Sequence, residues 1–234
     1  MQERIQIKGI SANTLKILAI IGMTFNHIAH IYVEDLSFVI GCVLYAFGGL
    51  TFPIMAYLLG EGYRHTTNIK KYAIRLFVFA CIAEVPFRLF LNRNIGNILF
   101  TLFLGLIAIY SYERMGRKAY FFLFVCLVIV SGFFDWGWIG IPMILLYYTL
   151  RDKKRVVLPC LIPLLFFSFI AIVDIMRTES LRSLEIVFFL IGCILSMPLL
   201  LCYNGSKGKP MKYFFYVYYP LHILVLGVCR MVFI

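Results

Sequence analysis

The sequence predicts an all-α, polytopic membrane helix bundle, and three observations carry that expectation. Apolar residues fill 62% of the 234 positions and charged residues only 14%, where a soluble domain has nearer half and a quarter. The apolar residues fall in repeated runs separated by short polar stretches. The cations sit mainly in loops flanking the runs, so the formal charge of +11 reads as membrane sidedness rather than as a nucleic-acid footprint.

Nine spans are expected in order: 15–33, 37–60, 76–91, 98–112, 119–134, 137–150, 156–173, 184–203 and 213–233. The first follows a polar start with no small-residue cleavage site behind it, so no cleavable signal peptide is expected. The fifth and sixth are parted by an outer turn around Asp135, flanked by Trp136 and Trp138, residues typical of the membrane interface. Several spans are short for a hydrocarbon core of about 30 Å, as suits helices that incline, re-enter or line a water-filled cavity. The longest inner loops are 61–75 and 203–212, and the longest outer loop is 174–183. No polar segment is long enough for a soluble domain, so residues 1–234 read as one membrane domain. Seven cysteines lie in apolar runs with no CxxC pair and read as small buried hydrophobes, not disulfides or metal ligands.

Sidedness follows from counting cations. With the N-terminus in the cytosol, Arg4, Lys8, Lys16 and the basic clusters at 64–75, 114–118, 151–155 and 207–212 all face inward. The exceptions are Arg88, Arg93, Arg177, Arg182 and Arg230. This asymmetry predicts a cytosolic N-terminus and an outer C-terminus.

Ionisable groups at bilayer depth are costly, so each is a candidate functional residue. Lys16 and His27 share a helical face about 16 Å apart, and His30 is one turn beyond His27. The two histidines either hydrogen-bond within the bundle, or His27 serves as a general base toward an amine or hydroxyl. Asn26 points about 100° away from His27 and is expected to meet another helix. Glu84 and Arg88 form an i,i+4 pair, with Glu84 about 13 Å deep. They are either a self-neutralising ion pair or part of the site. His222 sits mid-span, two residues after Pro220, which leaves the Tyr216 carbonyl without its helical donor. The 61–75 loop offers an anion site: Arg64, Lys71 and Arg75 share a face if the stretch is one helix, with Lys70 beside them. Lys207 and its glycines could add donors. P-loop, GxSxG, HExxH and zinc-like spacings are all missing from the sequence.

Several segments in order resemble the TraX family, acyltransferases named for the protein that N-acetylates conjugative pilin. They begin with Lys16-Ile17-Leu18-Ala19, Met23 and Asn26-His27. Next come Leu50-Thr51-Phe52-Pro53-Ile54 and Gly60-Glu61-Gly62-Tyr63-Arg64-His65-Thr66, then Lys71-Tyr72, Arg75-Leu76 and Glu84-x-Pro86-Phe87. Asn97-x-x-Phe100-Thr101-Leu102, Asp135-x-Gly137 and Tyr203-Asn204-Gly205-x-Lys207-Gly208 continue it. Phe215-Tyr216-x-x-Tyr219-Pro220-Leu221-His222 closes it. Lys16-x10-His27 also resembles the Arg-or-Glu, ten residues, His spacing of acyltransferase-3 membrane enzymes. The chain departs where Asn26 replaces the family's usual Asp.

The resemblance implies a multi-pass acyltransferase of the bacterial cytoplasmic membrane. It implies acetyl-CoA or another acyl-CoA as co-substrate, without a metal, its phosphates meeting Lys16, Arg64, Lys70, Lys71, Arg75 or Lys207. His27 is the expected base, with Asn26, Glu84 and His222 as its catalytic partners. His30, Arg88, Asp135 and Tyr216 are expected on the acceptor side. The acceptor, a pilin-like peptide N-terminus, a sugar or a lipid head group, stays open, as does the oligomeric state; membrane lipid is an expected partner and nucleic acid is not. The rival readings are a small proton-coupled transporter, favoured by the intramembrane ionisable groups, and a non-catalytic helper of a pilus system, favoured by Asn26.

Overall fold

The computed structural model describes residues 9–91, 93–178, 184–208 and 212–233. Ten α-helices form in them: α1 Ala12–Ile31, α2 Phe38–Gly48, α3 Thr51–His65, α4 Ile69–Leu91, α5 Ile98–Tyr112, α6 Arg117–Ser131, α7 Gly137–Thr149, α8 Lys154–Thr178, α9 Glu185–Leu201 and α10 Lys212–Phe233. Extended pairing among these residues is limited to the isolated bridges Ile10 with Tyr203 and Gly96 with Phe134. Short polar side chains start several helices. Ser11 and Ser37 accept from Thr14 N and Ile40 N, and Asn97 from Leu99 N at 3.0 Å. Each satisfies a donor that the first helical turn leaves open.

The helices run back and forth between two ends, and contacts among helix ends and loops define both. At the first end, Ile10 meets Tyr203, Glu61 of α3 binds Arg155 of α8 at 2.5 Å, and Tyr63 donates to Glu113 at 2.6 Å. At the second, Gly96 pairs with the 133–135 turn and Arg230 reaches Glu34 at 3.3 Å. Phe52, Ile54, Leu106, Ile144 and Tyr147, from α3, α5 and α7, are buried at the centre. α6 is peripheral, burying only Leu127 and Ser131. Phe121, Phe122, Leu165, Met176 and Phe233 stand exposed, an apolar exterior suited to lipid. By length and composition four stretches can cross a membrane: Ala12–Ile31, Phe38–His65, Lys154–Arg177 and Tyr213–Phe233.

Three sequence expectations are corrected. The 37–60 span is two helices, α2 and α3, broken at Gly49 and Leu50. Pro53 has no N–H to give the Gly49 carbonyl, and its ring would crowd that oxygen in a continuous helix. The basic 61–75 stretch is helical except at 66–68, where Asn68 Oδ1 accepts from Lys71 N at 2.8 Å and starts α4. Arg64 therefore belongs to α3 while Lys71 and Arg75 belong to α4, and the three do not share one helical face. The expected outer loop from Asp174 begins inside α8, which continues to Thr178. Arg4, Lys8, Arg182 and Lys209, used in the charge count, lie outside the described residues.

The break lets α2 press against α9. A Cβ on Gly49 would stand 2.0 Å from the Phe189 carbonyl, and one on Gly192 would stand 2.0 Å from the Ala46 carbonyl. Only glycine permits that backbone approach. Gly192→Leu is expected to destabilise the bundle by about 1–3 kcal/mol or more, read as a lower thermal midpoint in detergent. Gly116→Ala, whose Cβ would meet nothing within 4 Å, should change little.

Candidate functional site

A cavity of about 500 Å³ opens near the second end. α1 contributes Asn26, His27 and His30, α2 contributes Tyr45, and the turn before α5 contributes Arg93. Asp135 and Trp136 come from the α6–α7 turn, Trp138 from the first turn of α7, Phe166 and Phe167 from α8, and Glu185 and Phe189 from α9. It is a mostly apolar chamber, rich in aromatic rings, with a few convergent polar groups, the usual composition of a small-molecule site.

Helix α1 places its polar residues by packing against α10. Lys16 Nζ lies 5.2 Å from the Phe215 ring centre, and Tyr32 donates to the Leu226 carbonyl at 3.0 Å. Between them, His27 Nδ1 and His222 Nε2 are 2.7 Å apart, and both rings are buried. The ring planes differ by 12° with centroids 4.9 Å apart, the separation of a near-coplanar, edge-to-edge hydrogen bond rather than a face stack.

The network assigns the tautomers. His222 Nδ1 lies 2.8 Å from the Tyr218 carbonyl, which can only accept, so Nδ1 carries a proton. In the neutral ring, His222 Nε2 is then an acceptor, and His27 Nδ1 must donate to it. His27 Nε2 is left with a lone pair, on a residue four positions before the Ile31 end of α1. Such a nitrogen, held by a second group, has the form of a general base.

The other wall is a braced turn. Glu84 Oε2 accepts from the Asn97 backbone N at 3.0 Å and from its side chain at 2.8 Å, and Asn97 also donates to the Ala80 carbonyl at 2.8 Å. Gly96 exchanges two backbone bonds of 2.8 Å with Phe133 and Asp135, and Thr101 donates to the Asp135 carbonyl at 2.6 Å. Trp136 is left-handed at φ 65° and stacks on Phe52 at 4.2 Å. These contacts fix Arg93 and Asp135 at the cavity. Arg93 Nη2 lies 3.0 Å from Nε2 and 3.2 Å from Nδ1 of the His30 ring, and Arg93 Nη1 lies 3.9 Å from Asp135. Burial raises the Asp135 carboxyl above its ordinary range, while Arg93 pulls it back.

The structure thus gathers Asn26, His27, His30 and Asp135 at the cavity, with His222 behind His27. Asn26 packs on α2, where a Cβ at Gly48 would come within 2.8 Å of its own Cβ. Glu84 is not brought to His27; it is spent on Asn97 and on Arg88, at 2.5 Å. Arg88 points outward from α4 and does not line the cavity. Tyr216 faces Phe79 at 5.2 Å and Arg75 at 5.8 Å, far from the acceptor side expected for it.

None of the six expected phosphate cations lines the cavity. Lys16 is covered by Phe215, and its ammonium feels Lys207. Arg64 is tied to Glu61 at 2.8 Å and to the Tyr148 carbonyl, while Lys70 and Lys71 are exposed. Among the described residues no three His, Cys, Asp or Glu come together as a metal set. Arg93, Tyr45 and Glu185 escaped the sequence reading. Arg93 left one signal, as an exception to the charge asymmetry.

Comparison with known proteins places the chain among relatives. The family model described as TraX protein matches residues 11–230. The probable fimbrial assembly protein FimC, serogroup H1, of Dichelobacter nodosus is 30% identical over 241 residues, covering 94% of this chain and 96% of that protein. No solved structure matches.

The brace at Glu84 has a measurable consequence. Glu84→Gln leaves the Asn97 donors poorly matched, at a cost of about 1–3 kcal/mol. Backbone amides at 95–97 and 133–136 are then expected to exchange with deuterium about tenfold faster or more. Arg88→Ala, at a side chain 59% exposed, should have a much smaller effect.

Proposed function

The chain belongs to the TraX family, and from this we propose that it is a membrane acyltransferase of a fimbrial or pilus assembly system. It moves an acyl group, most simply acetyl, from cytosolic acyl-CoA to an amine or hydroxyl held in the cavity of the second end. The chain crosses the bacterial cytoplasmic membrane nine times, α2 and α3 together making one broken span. The N-terminus is cytosolic, and the second end, with its cavity, faces outward.

The observation that carries this reading is the 2.7 Å contact of His27 Nδ1 with His222 Nε2, with His222 Nδ1 at 2.8 Å from the Tyr218 carbonyl, the arrangement that leaves His27 Nε2 its lone pair. The acceptor attacks the thioester carbonyl as His27 Nε2 takes its proton. A C–N or C–O bond forms, the C–S bond breaks, and the proton on His27 passes to the departing thiolate sulfur. His222 accepts from His27 Nδ1 throughout and steadies the imidazolium, a role a carboxylate fills in other histidine-centred sites. The CoA phosphates are held at the first end by Lys16, Lys207 and Arg75, with Lys70 and Lys71 near its mouth. Lys16 to His27 is about 16 Å along one face of α1, the path the pantetheine arm follows. Arg64 is already committed to Glu61 and contributes less.

A second reading, a non-catalytic assembly factor, is favoured by the fimbrial assembly name of the relative and by Asn26. Thiol release separates the two. Purified protein with acetyl-CoA and candidate acceptor peptides should release CoA, and His27→Ala should slow release about 100-fold or more. No release by the wild type, with pilus assembly intact in cells carrying His27→Ala, would favour the assembly factor. Single cysteines at Lys70 and Arg177 should label from opposite sides of the membrane; labelling from the same side contradicts the orientation.

A further inference from the structure

The charges around the cavity are paired unevenly. Arg93 is half-buried, and its hydrogen bonds among the described residues go only to the His30 ring. A guanidinium can only donate, so the His30 nitrogen it bonds must present a lone pair. The Tyr45 hydroxyl lies 3.0 Å from His30 Nδ1; with Nε2 keeping its lone pair toward Arg93, Nδ1 is the protonated nitrogen and donates to that hydroxyl. His30 is then a neutral imidazole. It occupies one of five guanidinium donors and offsets none of the charge.

The nearby carboxylates do not complete the pairing. Asp135 Oδ1 is 3.9 Å from Arg93 Nη1, beyond hydrogen-bond reach, and accepts from Trp136 N at 3.1 Å. Glu185 also lines the cavity, and its Oε1 stands at Gly41 of α2, where a Cβ would come within 2.8 Å of it. The rest of the wall is largely aromatic, including Phe134, Trp136, Phe166, Phe167 and Phe189.

We infer that this cavity binds a ligand carrying an oxyanion on an apolar body, with Arg93 as the anion's partner. The planar guanidinium fork suits two parallel bonds to a carboxylate-like group, and the aromatic wall takes the apolar body. His27 and His30 are one turn apart on α1, so an anion on Arg93 lies beside the proposed base. Two sources share this chemistry. One is a carboxylate borne by the ligand itself. The other, which rests on the acyl-transfer reading, is the tetrahedral oxyanion formed when the acceptor attacks the thioester.

Both tryptophans of the chain line the cavity, so intrinsic fluorescence reports on it directly. The full chain in detergent micelles is titrated with hexanoate, hexanamide and hexylammonium. Hexanoate should change the emission saturably, with a Kd at least about tenfold below that of hexanamide, the step expected of a charge-assisted pair. Arg93→Ala should abolish that preference, Arg93→Lys should keep part of it, and Gly116→Ala, outside the cavity, should keep it whole. Hexanamide or hexylammonium binding to the wild type as tightly as hexanoate overturns the proposal, whatever the variants do. An unchanged preference in Arg93→Ala also overturns it.

Thiol release distinguishes the sources. A kcat loss of about 100-fold or more in Arg93→Ala, with KM for acetyl-CoA unchanged, assigns the tetrahedral oxyanion. An unchanged kcat assigns a carboxylate of the ligand. No release by the wild type, with the hexanoate preference intact, removes acyl transfer and leaves the anion site standing.

Discussion

The bond from His27 to His222 is the constraint around which the bundle is arranged. Two buried imidazoles at 2.7 Å satisfy each other only if each adopts one tautomer, and the Tyr218 carbonyl selects it. The bond joins the first helix to the last, whose side chains are 195 residues apart in sequence. A single neutral hydrogen bond contributes about 1 kcal/mol net, whereas an orphaned buried partner costs about 1–3 kcal/mol. The pair therefore specifies which face α1 shows to α10 more than it stabilises the fold. That choice sends His30 and Asn26 toward the chamber and Lys16 toward the first end.

The chamber exists because two other features hold its walls. The contact of Gly49 and Gly192 brings α2 against α9, which carries Tyr45 and Glu185 to the cavity. The Glu84–Asn97 brace holds the 93–97 turn, which carries Arg93, and the Gly96 backbone bonds join it to the 132–136 turn, which carries Asp135. Glu84 thus serves the site without touching it. A carboxylate deep in the bundle became the support of a loop because backbone N–H groups at the start of α5 needed an acceptor.

Much of this was legible in the sequence, for identifiable reasons. The apolar runs gave an all-helical bundle, and the eleven-residue interval gave the shared face of Lys16 and His27, which the structure lays along α10. Asn26 was expected on a neighbouring helix and packs on α2. The α2–α3 break was hidden because hydropathy runs unbroken through it; Pro53 and the paired glycines were the cues. The basic 61–75 stretch looked like a loop because its charges masked two helix ends. The partner of His27 was left among Asn26, Glu84 and His222, since a distance across 195 residues has no periodicity to reveal it. Arg93 was missed because a loop residue has no period at all.

The chemistry of the site turns on the protonation of one ring. The chain has four histidines, so nitrogen NMR on protein labelled at the imidazole nitrogens should resolve each one. His27 and His222 are expected as neutral Nδ1–H tautomers, with coupling across the 2.7 Å bond and an unprotonated Nε2 on His27. A proton on Nε2 of His27, as the other tautomer or as a resting imidazolium, would contradict the claim that His222 prepares His27 as a base.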